Sequence, residues 1–149
     1  VEELLPLATV VTPNLPEAAR LAGVALDADA GLDARREVGR RVAALAPQRS
    51  PAVLVKGGHA AGEVVVDILV AAGTSRTYEH PRIDSRHTHG TGCTLSSAIA
   101  ARLGKGDSLG TAVGGAIEYL QGAIAAAPGF GVGHGPVDHL HRLFPAGGA

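Results

Sequence analysis

The sequence predicts an α/β protein. Two observations in the residues carry that class. Short apolar runs alternate with amphipathic helical runs, in the order strand, helix, helix, strand, and then a two-strand hairpin follows. In addition, the stretch His87-Thr88-His89-Gly90-Thr91-Gly92-Cys93-Thr94-Leu95 places two glycines directly before a helical run with Leu95, Ile99 and Leu103 on one face. A glycine loop that opens a helix leaves backbone N–H groups unpaired and aimed at one spot. The helix dipole adds partial positive charge there, which suits phosphate or another anion.

The elements follow in order. Leu7–Thr12 reads as a short buried strand stopped by Pro13. Asn14-Leu15-Pro16-Glu17 has the form of a helix start, with Asn14 as cap and Glu17 reaching back to it, and Gly23 ends that helix. Val24–Gly31 is a loop in which Asp27 and Asp29 are solvated. Asp33 is expected to cap a second helix, Ala34–Leu45, with Val38, Val42 and Leu45 buried and Arg35, Arg36, Arg40 and Arg41 on a solvated face. After the break at Pro47–Pro51, Ala52–Val55 reads as a strand buried on both faces, as parallel strands are. It ends in Lys56-Gly57-Gly58-His59, and ligands of open α/β sheets bind beyond such strand ends. The two glycines are expected to let a ligand approach. Glu63–Val70 and Thr74–His80 read as a hairpin with a polar outer strand, and Asp67 either faces solvent, the favoured reading, or points toward the ligand side. Asp107 or Ser108 caps a long helix to about Ala127, with a buried stripe of Leu109, Val113, Ile117, Leu120 and Ile124. Gly110, Gly114, Gly115 and Gly122 suggest that it packs closely on a neighbour, such as the Cys93 helix. Gly129–Pro136 is a glycine-rich loop, either a flap over a nucleotide or a plain terminal loop.

Composition narrows the function classes. The 149 residues suffice for one domain with a core, and 46% of them are apolar, which indicates a folded chain. A net charge of −1 without a basic run, and 3% aromatic residues, argue against nucleic acid as a partner. No apolar segment is long enough to span a bilayer. One cysteine excludes an internal disulfide and multi-cysteine metal sites, and it fits a reducing cytoplasm. That cysteine, Cys93, stands at the helix start, a position that stabilises the thiolate form. A redox couple is disfavoured because there is no second cysteine to resolve it. His134, Asp138, His139 and His141 match no standard metal spacing and read as surface or loop residues. The opening Val1-Glu2-Glu3-Leu4-Leu5 reads as the tail of a helix entered midway, and the sequence is expected to be a late piece of a larger enzyme.

Taken together, Thr12–Glu17, Val55–His59 and Thr88–Ser96 resemble, in order and spacing, the hydroxymethylpyrimidine/phosphomethylpyrimidine kinase family. Gly133–His139 is similar to that family's C-terminal motif. The resemblance implies a three-layer ribokinase-like (Rossmann-like) α/β fold. Residues 1–149 would form a single domain, the C-terminal half, with a mostly parallel sheet plus a β-hairpin. It implies ATP-dependent phosphorylation of hydroxymethylpyrimidine and its monophosphate in thiamine biosynthesis, in the cytoplasm. The alternatives are a pyridoxal kinase-type activity and a non-catalytic nucleotide-binding fragment. Carried over by residue, Gly90, Thr91, Gly92 and Cys93 form the anion hole, and Cys93 takes the place of the catalytic base. Asn14, Glu17, Lys56 and Thr88 serve ATP binding, and Glu17 serves Mg²⁺ directly or indirectly. The partner is a small-molecule substrate, an aminopyrimidine alcohol or its phosphate, with a homodimer left open and neither nucleic acid nor membrane expected. The chain carries His87 where the family usually has Asn. Nothing in it resembles the family's N-terminal substrate-binding part, so most of the pyrimidine pocket is expected to lie outside these residues.

Overall fold

The structure, a computed structural model, describes residues 3–27, 29–58 and 61–144. They fall into two compact units, Val1–Arg82 and Ile83–Ala149. Each unit is described by itself.

The first unit holds a four-stranded sheet in the order β1 (Val10–Val11), β2 (Ala52–Val55), β3 (Val64–Ala71) and β4 (Thr74–Pro81). Helices α1 (Leu15–Ala22) and α2 (Leu32–Ala44) also belong to it. The α/β class holds, but the sheet is mixed rather than mostly parallel. β1 and β2 are parallel, whereas β2–β3 and β3–β4 are antiparallel. The parallel pair needs a crossover, and α1 and α2 supply it. The hairpin turns at Ala72 and Gly73, both at positive φ (48° and 76°), as a two-residue turn demands.

One face of the sheet meets the helices. Val53 and Val55 of β2 pack with Leu15 and Ala18 of α1 and with Val38 and Val42 of α2. Gly39 lets α2 come close to β3, since a Cβ there would lie 2.8 Å from a Val70 methyl. By strand alternation, Leu54 and its partner Leu69 point to the opposite face, and Asp67 lies on that face too.

Several expectations need correction. β1 is shorter than Leu7–Thr12, because Pro6 favours a 3₁₀ turn over Leu5–Leu7, and Leu7 is exposed. That same turn stands where a helix tail was expected, and Val1 and Glu2 lie outside the described residues. The cap of α2 is Gly31, not Asp33, whose carboxylate instead pairs with Arg36 at 2.7 Å. Leu45, the C-cap, is exposed, and Ala46, just past the end of α2, is buried in its place. Arg35 leaves the solvated set: it is buried, and its Nε donates to the Ala30 carbonyl at 2.7 Å. Arg40 and Arg41 do lie at the surface, paired with Glu37. Those pairs hold the Glu37 carboxyl below its ordinary range.

The second unit is a helix pair with a return segment. α3 spans Thr91–Gly104, and α4 spans Leu109–Ala125, capped by Ser108 through the Thr111 N–H. The two pack together. Gly115 of α4 makes room for the Arg102 guanidinium of α3, which ion-pairs with Asp107 at 2.8 Å. The expected role of the α4 glycines thus holds at Gly115. Gly122 does the same for His141 of the return segment. The buried stripe of α4 runs through Ala112, Val113, Ala116, Ile117 and Ala123. Leu109, Leu120 and Ile124 are only half-buried, because small side chains occupy the closest positions. Among the described residues no helix is long and apolar enough to cross a membrane.

Candidate active site

The site residues expected from the sequence fall in two groups, one in each unit. In the first unit the chain leaves β1 at Pro13 and enters α1. Asn14 forms a reciprocal capping box: its Oδ1 accepts the Glu17 N–H at 2.8 Å, and Glu17 Oε2 accepts the Asn14 N–H at 2.8 Å. Lys56 stands at the end of the neighbouring parallel strand. Its N–H donates to the Pro13 carbonyl at 2.9 Å, and Asn14 and Lys56 form a parallel bridge. Asn14, Glu17 and Lys56 are therefore brought to the C-terminal ends of two adjacent parallel strands, where open α/β sheets bind ligands. Glu17 is exposed, and Asn14 and Lys56 are half-buried.

The turn after Lys56 is held by the hairpin. Asp67 Oδ1 accepts the Gly57 N–H at 2.7 Å, and Asp67 Oδ2 lies 3.2 Å from His80 Nε2. The Arg82 guanidinium donates to the carbonyls of Gly62 (2.7 Å) and Gly58 (2.9 Å). Two expectations change here. Asp67 does not face solvent; it is buried at 4% exposure, with both oxygens engaged. Gly57 serves packing rather than ligand access, because a Cβ there would lie 2.1 Å from the Val66 carbonyl oxygen. His59 lies outside the described residues. Sequence reading missed Asp67 and Arg82 as supports of this turn. Asp67 carried a signal, a carboxylate breaking an apolar run, whereas Arg82 carried none.

In the second unit the glycine loop opens α3 as expected. Gly90 is the N-cap, at φ 83° and ψ 0°, a conformation that favours glycine. Its carbonyl accepts both the N–H and the hydroxyl of Thr94, each at 2.8 Å. The Thr91 N–H is taken by the Thr88 carbonyl at 3.3 Å. Among the described residues nothing accepts the N–H groups of Gly92 and Cys93, and no side chain caps this end. Two free donors at the positive end of a fourteen-residue helix are chemically suited to an anion. Cys93 is exposed. With Gly90 and Thr94 it lines a groove of about 540 Å³ that continues along α3 to Arg102 and Lys105.

The C-terminal glycine loop is stitched to the segment leading into α3. The His89 N–H donates to the Gly135 carbonyl at 3.2 Å, and His134 Nδ1 lies 3.0 Å from the Arg86 carbonyl. The His87 ring packs against Gly135, where a Cβ would lie 2.4 Å from Nδ1. The end of the loop is thus anchored, while Phe130 and Val132 in its middle are exposed. Among the described residues no group of three or more metal-ligating side chains occurs. Glu17 supplies one exposed carboxylate, which fits Mg²⁺ carried mainly by nucleotide phosphates and water rather than by a protein cage.

The phosphomethylpyrimidine kinase family model matches residues 1–138. A hydroxymethylpyrimidine/phosphomethylpyrimidine kinase of Streptomyces coelicolor is 49% identical over 136 residues, covering 91% of this chain and 48% of the relative. The protein of that name from Rhizobium meliloti is 48% identical over 144 residues, covering 95% and 52%. The chain spans about half the length of these curated relatives. Among solved structures, pyridoxal kinase of Bacillus subtilis in its ADP complex superposes with a TM-score of 0.85 at 35% identity, covering 96% of this chain and 52% of that one. Pyridoxal kinase of Staphylococcus aureus with AMP-PCP and pyridoxal gives a TM-score of 0.79 at 30% identity, covering 91% and 49%. The fold is ribokinase-like, and the chain belongs to the phosphomethylpyrimidine kinase family.

Proposed function

We propose that the full-length protein transfers the γ-phosphoryl group of ATP to hydroxymethylpyrimidine and then to its monophosphate, as a cytoplasmic enzyme of thiamine biosynthesis. The observation that carries this reading is the start of α3. There, two unpaired N–H groups and an exposed thiol meet at one helix N-terminus, in a chain that matches the kinase family over residues 1–138. Phosphoryl transfer needs positioning and charge neutralisation more than covalent chemistry, and such a terminus supplies both.

In this reading Gly90, Thr91, Gly92 and Cys93 hold the transferring group. Cys93 Sγ accepts the proton of the substrate hydroxyl as its oxygen attacks the γ-phosphorus and ADP leaves. Thr88 shapes the loop by accepting the Thr91 N–H. Asn14, Glu17 and Lys56 serve the ATP phosphates, with Lys56 as the point charge among them. Mg²⁺, when bound, neutralises phosphate charge, and Glu17 would hold it directly or through water.

A second reading, pyridoxal kinase activity, is favoured by the solved structures, which include pyridoxal kinases at TM-scores of 0.85 and 0.79. The higher identities, 49% and 48%, belong to the pyrimidine kinases. Offering the full-length protein each alcohol with Mg-ATP separates the readings. A kcat/KM for hydroxymethylpyrimidine well above that for pyridoxal is expected. The reverse preference would establish the second reading, and transfer to neither would leave a nucleotide-binding module.

A further inference from the structure

We propose that Asp67 is a positioning residue for Lys56. This role rests on the kinase reading only in that Lys56 handles the nucleotide phosphates. Among the described residues Asp67 is the one buried carboxylate, and it sits in an otherwise apolar strand between Val66 and Ile68. A carboxylate there loses hydration and must be compensated by directed hydrogen bonds. Its Oδ1 takes the Gly57 N–H at 2.7 Å, and that N–H belongs to the peptide joining Lys56 to Gly57. Because a peptide unit is planar, holding its N–H fixes the rotation of the chain on the C-terminal side of the Lys56 Cα. On the N-terminal side, the Lys56 N–H is held by the Pro13 carbonyl at 2.9 Å. Both peptide groups flanking the Lys56 Cα are therefore pinned, one by the end of β1 and one by Asp67.

His80 secures the carboxylate. Tyr78 is the cross-strand partner of Asp67, so His80 is its diagonal neighbour on the same face of the hairpin. A carboxylate oxygen accepts, so the ring N–H at His80 Nε2 donates to Asp67 Oδ2 at 3.2 Å. Gly57 completes the latch. Its missing Cβ lets the turn lie against the Val66 backbone, within reach of the next residue's carboxylate. The hairpin thus acts as a fixed platform for a lysine that lies outside it.

The test is a double-mutant cycle in the full-length protein, read as the Kd for Mg-ATP by calorimetry and as the ATP KM and kcat. Asp67→Ala is expected to raise the ATP Kd and KM about tenfold, with a smaller change in kcat. Asp67→Asn keeps an oxygen for the Gly57 N–H and is expected to stay within about threefold of wild type. In a Lys56→Ala background, Asp67→Ala should add almost nothing, because its effect runs through Lys56. Should Asp67→Ala not fold, His80→Ala removes only the Oδ2 partner, and a rise of about threefold in ATP Kd that vanishes in the Lys56→Ala background is expected. Additive effects, or a kcat that falls with the folded fraction at unchanged Kd and KM, would overturn the role. Wild-type protein that binds ATP yet transfers no phosphate would overturn the kinase reading, and the Kd cycle would still decide the case of Asp67.

Discussion

Replacing Cys93 by Ala in the full-length protein is expected to lower kcat by at least about a hundredfold, in the range of a lost general base, while the ATP KM changes little. The separation follows from where the groups sit. The proposed anion cradle consists of backbone N–H groups at Gly92 and Cys93, and a side-chain truncation leaves them in place. Cys93 itself is exposed in the first turn of α3 and fills no core position, so the fold has little to lose. Ala is also the better helix former. The variant should therefore melt at or slightly above the wild-type temperature while losing turnover. Steady-state kinetics at saturating substrate, with a thermal melt on the same sample, check both halves. An unchanged kcat would reduce Cys93 to a surface residue and remove it from the reaction.

Gly57→Ala is expected to be the most damaging single change in the turn after β2, with a cost of about 3 kcal/mol, at the upper end of overpacking effects. The new Cβ would lie 2.1 Å from the Val66 carbonyl oxygen and 2.9 Å from its carbon. These are backbone atoms of a paired strand, so no flexible side chain can swing aside. Moving the turn outward would also break the Gly57–Asp67 hydrogen bond, and with it the anchor beside Lys56. Gly58→Ala is the control, since a Cβ there meets nothing within 4 Å. Urea denaturation should show a clear drop in midpoint for the first variant and almost none for the second. Equal midpoints would mean that the close approach at Val66 does not constrain this turn.

The parts of the fold that were legible in the sequence are those fixed by neighbours along the chain. The Asn14–Glu17 capping box, the left-handed Gly23, the Ala72-Gly73 hairpin turn and the Ser108 cap all depend on residues within a few positions of one another. The glycine cradle before α3 was legible for the same reason. What misled were positions decided by distant partners. Asp67 breaks an apolar run, and alternation gives the side of a strand but not what lies across it. Its partners, Gly57 and His80, are ten and thirteen residues away. Gly57 looked like a place for a ligand to approach, whereas the backbone of β3 occupies that space. Asp33 looked like a cap, but a second local demand, the ion pair with Arg36, engaged its carboxylate. The direction of β3 relative to β2 is set by the short connection between Val55 and Val64, which leaves no room for a parallel crossover, and a buried apolar strand such as Ala52–Val55 accepts either direction on its two sides. The phosphate-handling roles proposed for Asn14, Glu17 and Lys56 rest on the family resemblance. The structure adds that these three stand together at the ends of β1 and β2.

The kinase reading is tested most directly by following phosphorus through the reaction of the full-length protein with Mg-ATP and hydroxymethylpyrimidine, using ³¹P NMR. Two successive transfers are expected: the monophosphate first, then the pyrophosphate on the same carbon-bound oxygen, with two ATP consumed per pyrimidine, and the first transfer slowed at least about a hundredfold in Cys93→Ala. ATP bound without any new phosphorus signal, or pyridoxal phosphate formed from pyridoxal while hydroxymethylpyrimidine stays untouched, would contradict it.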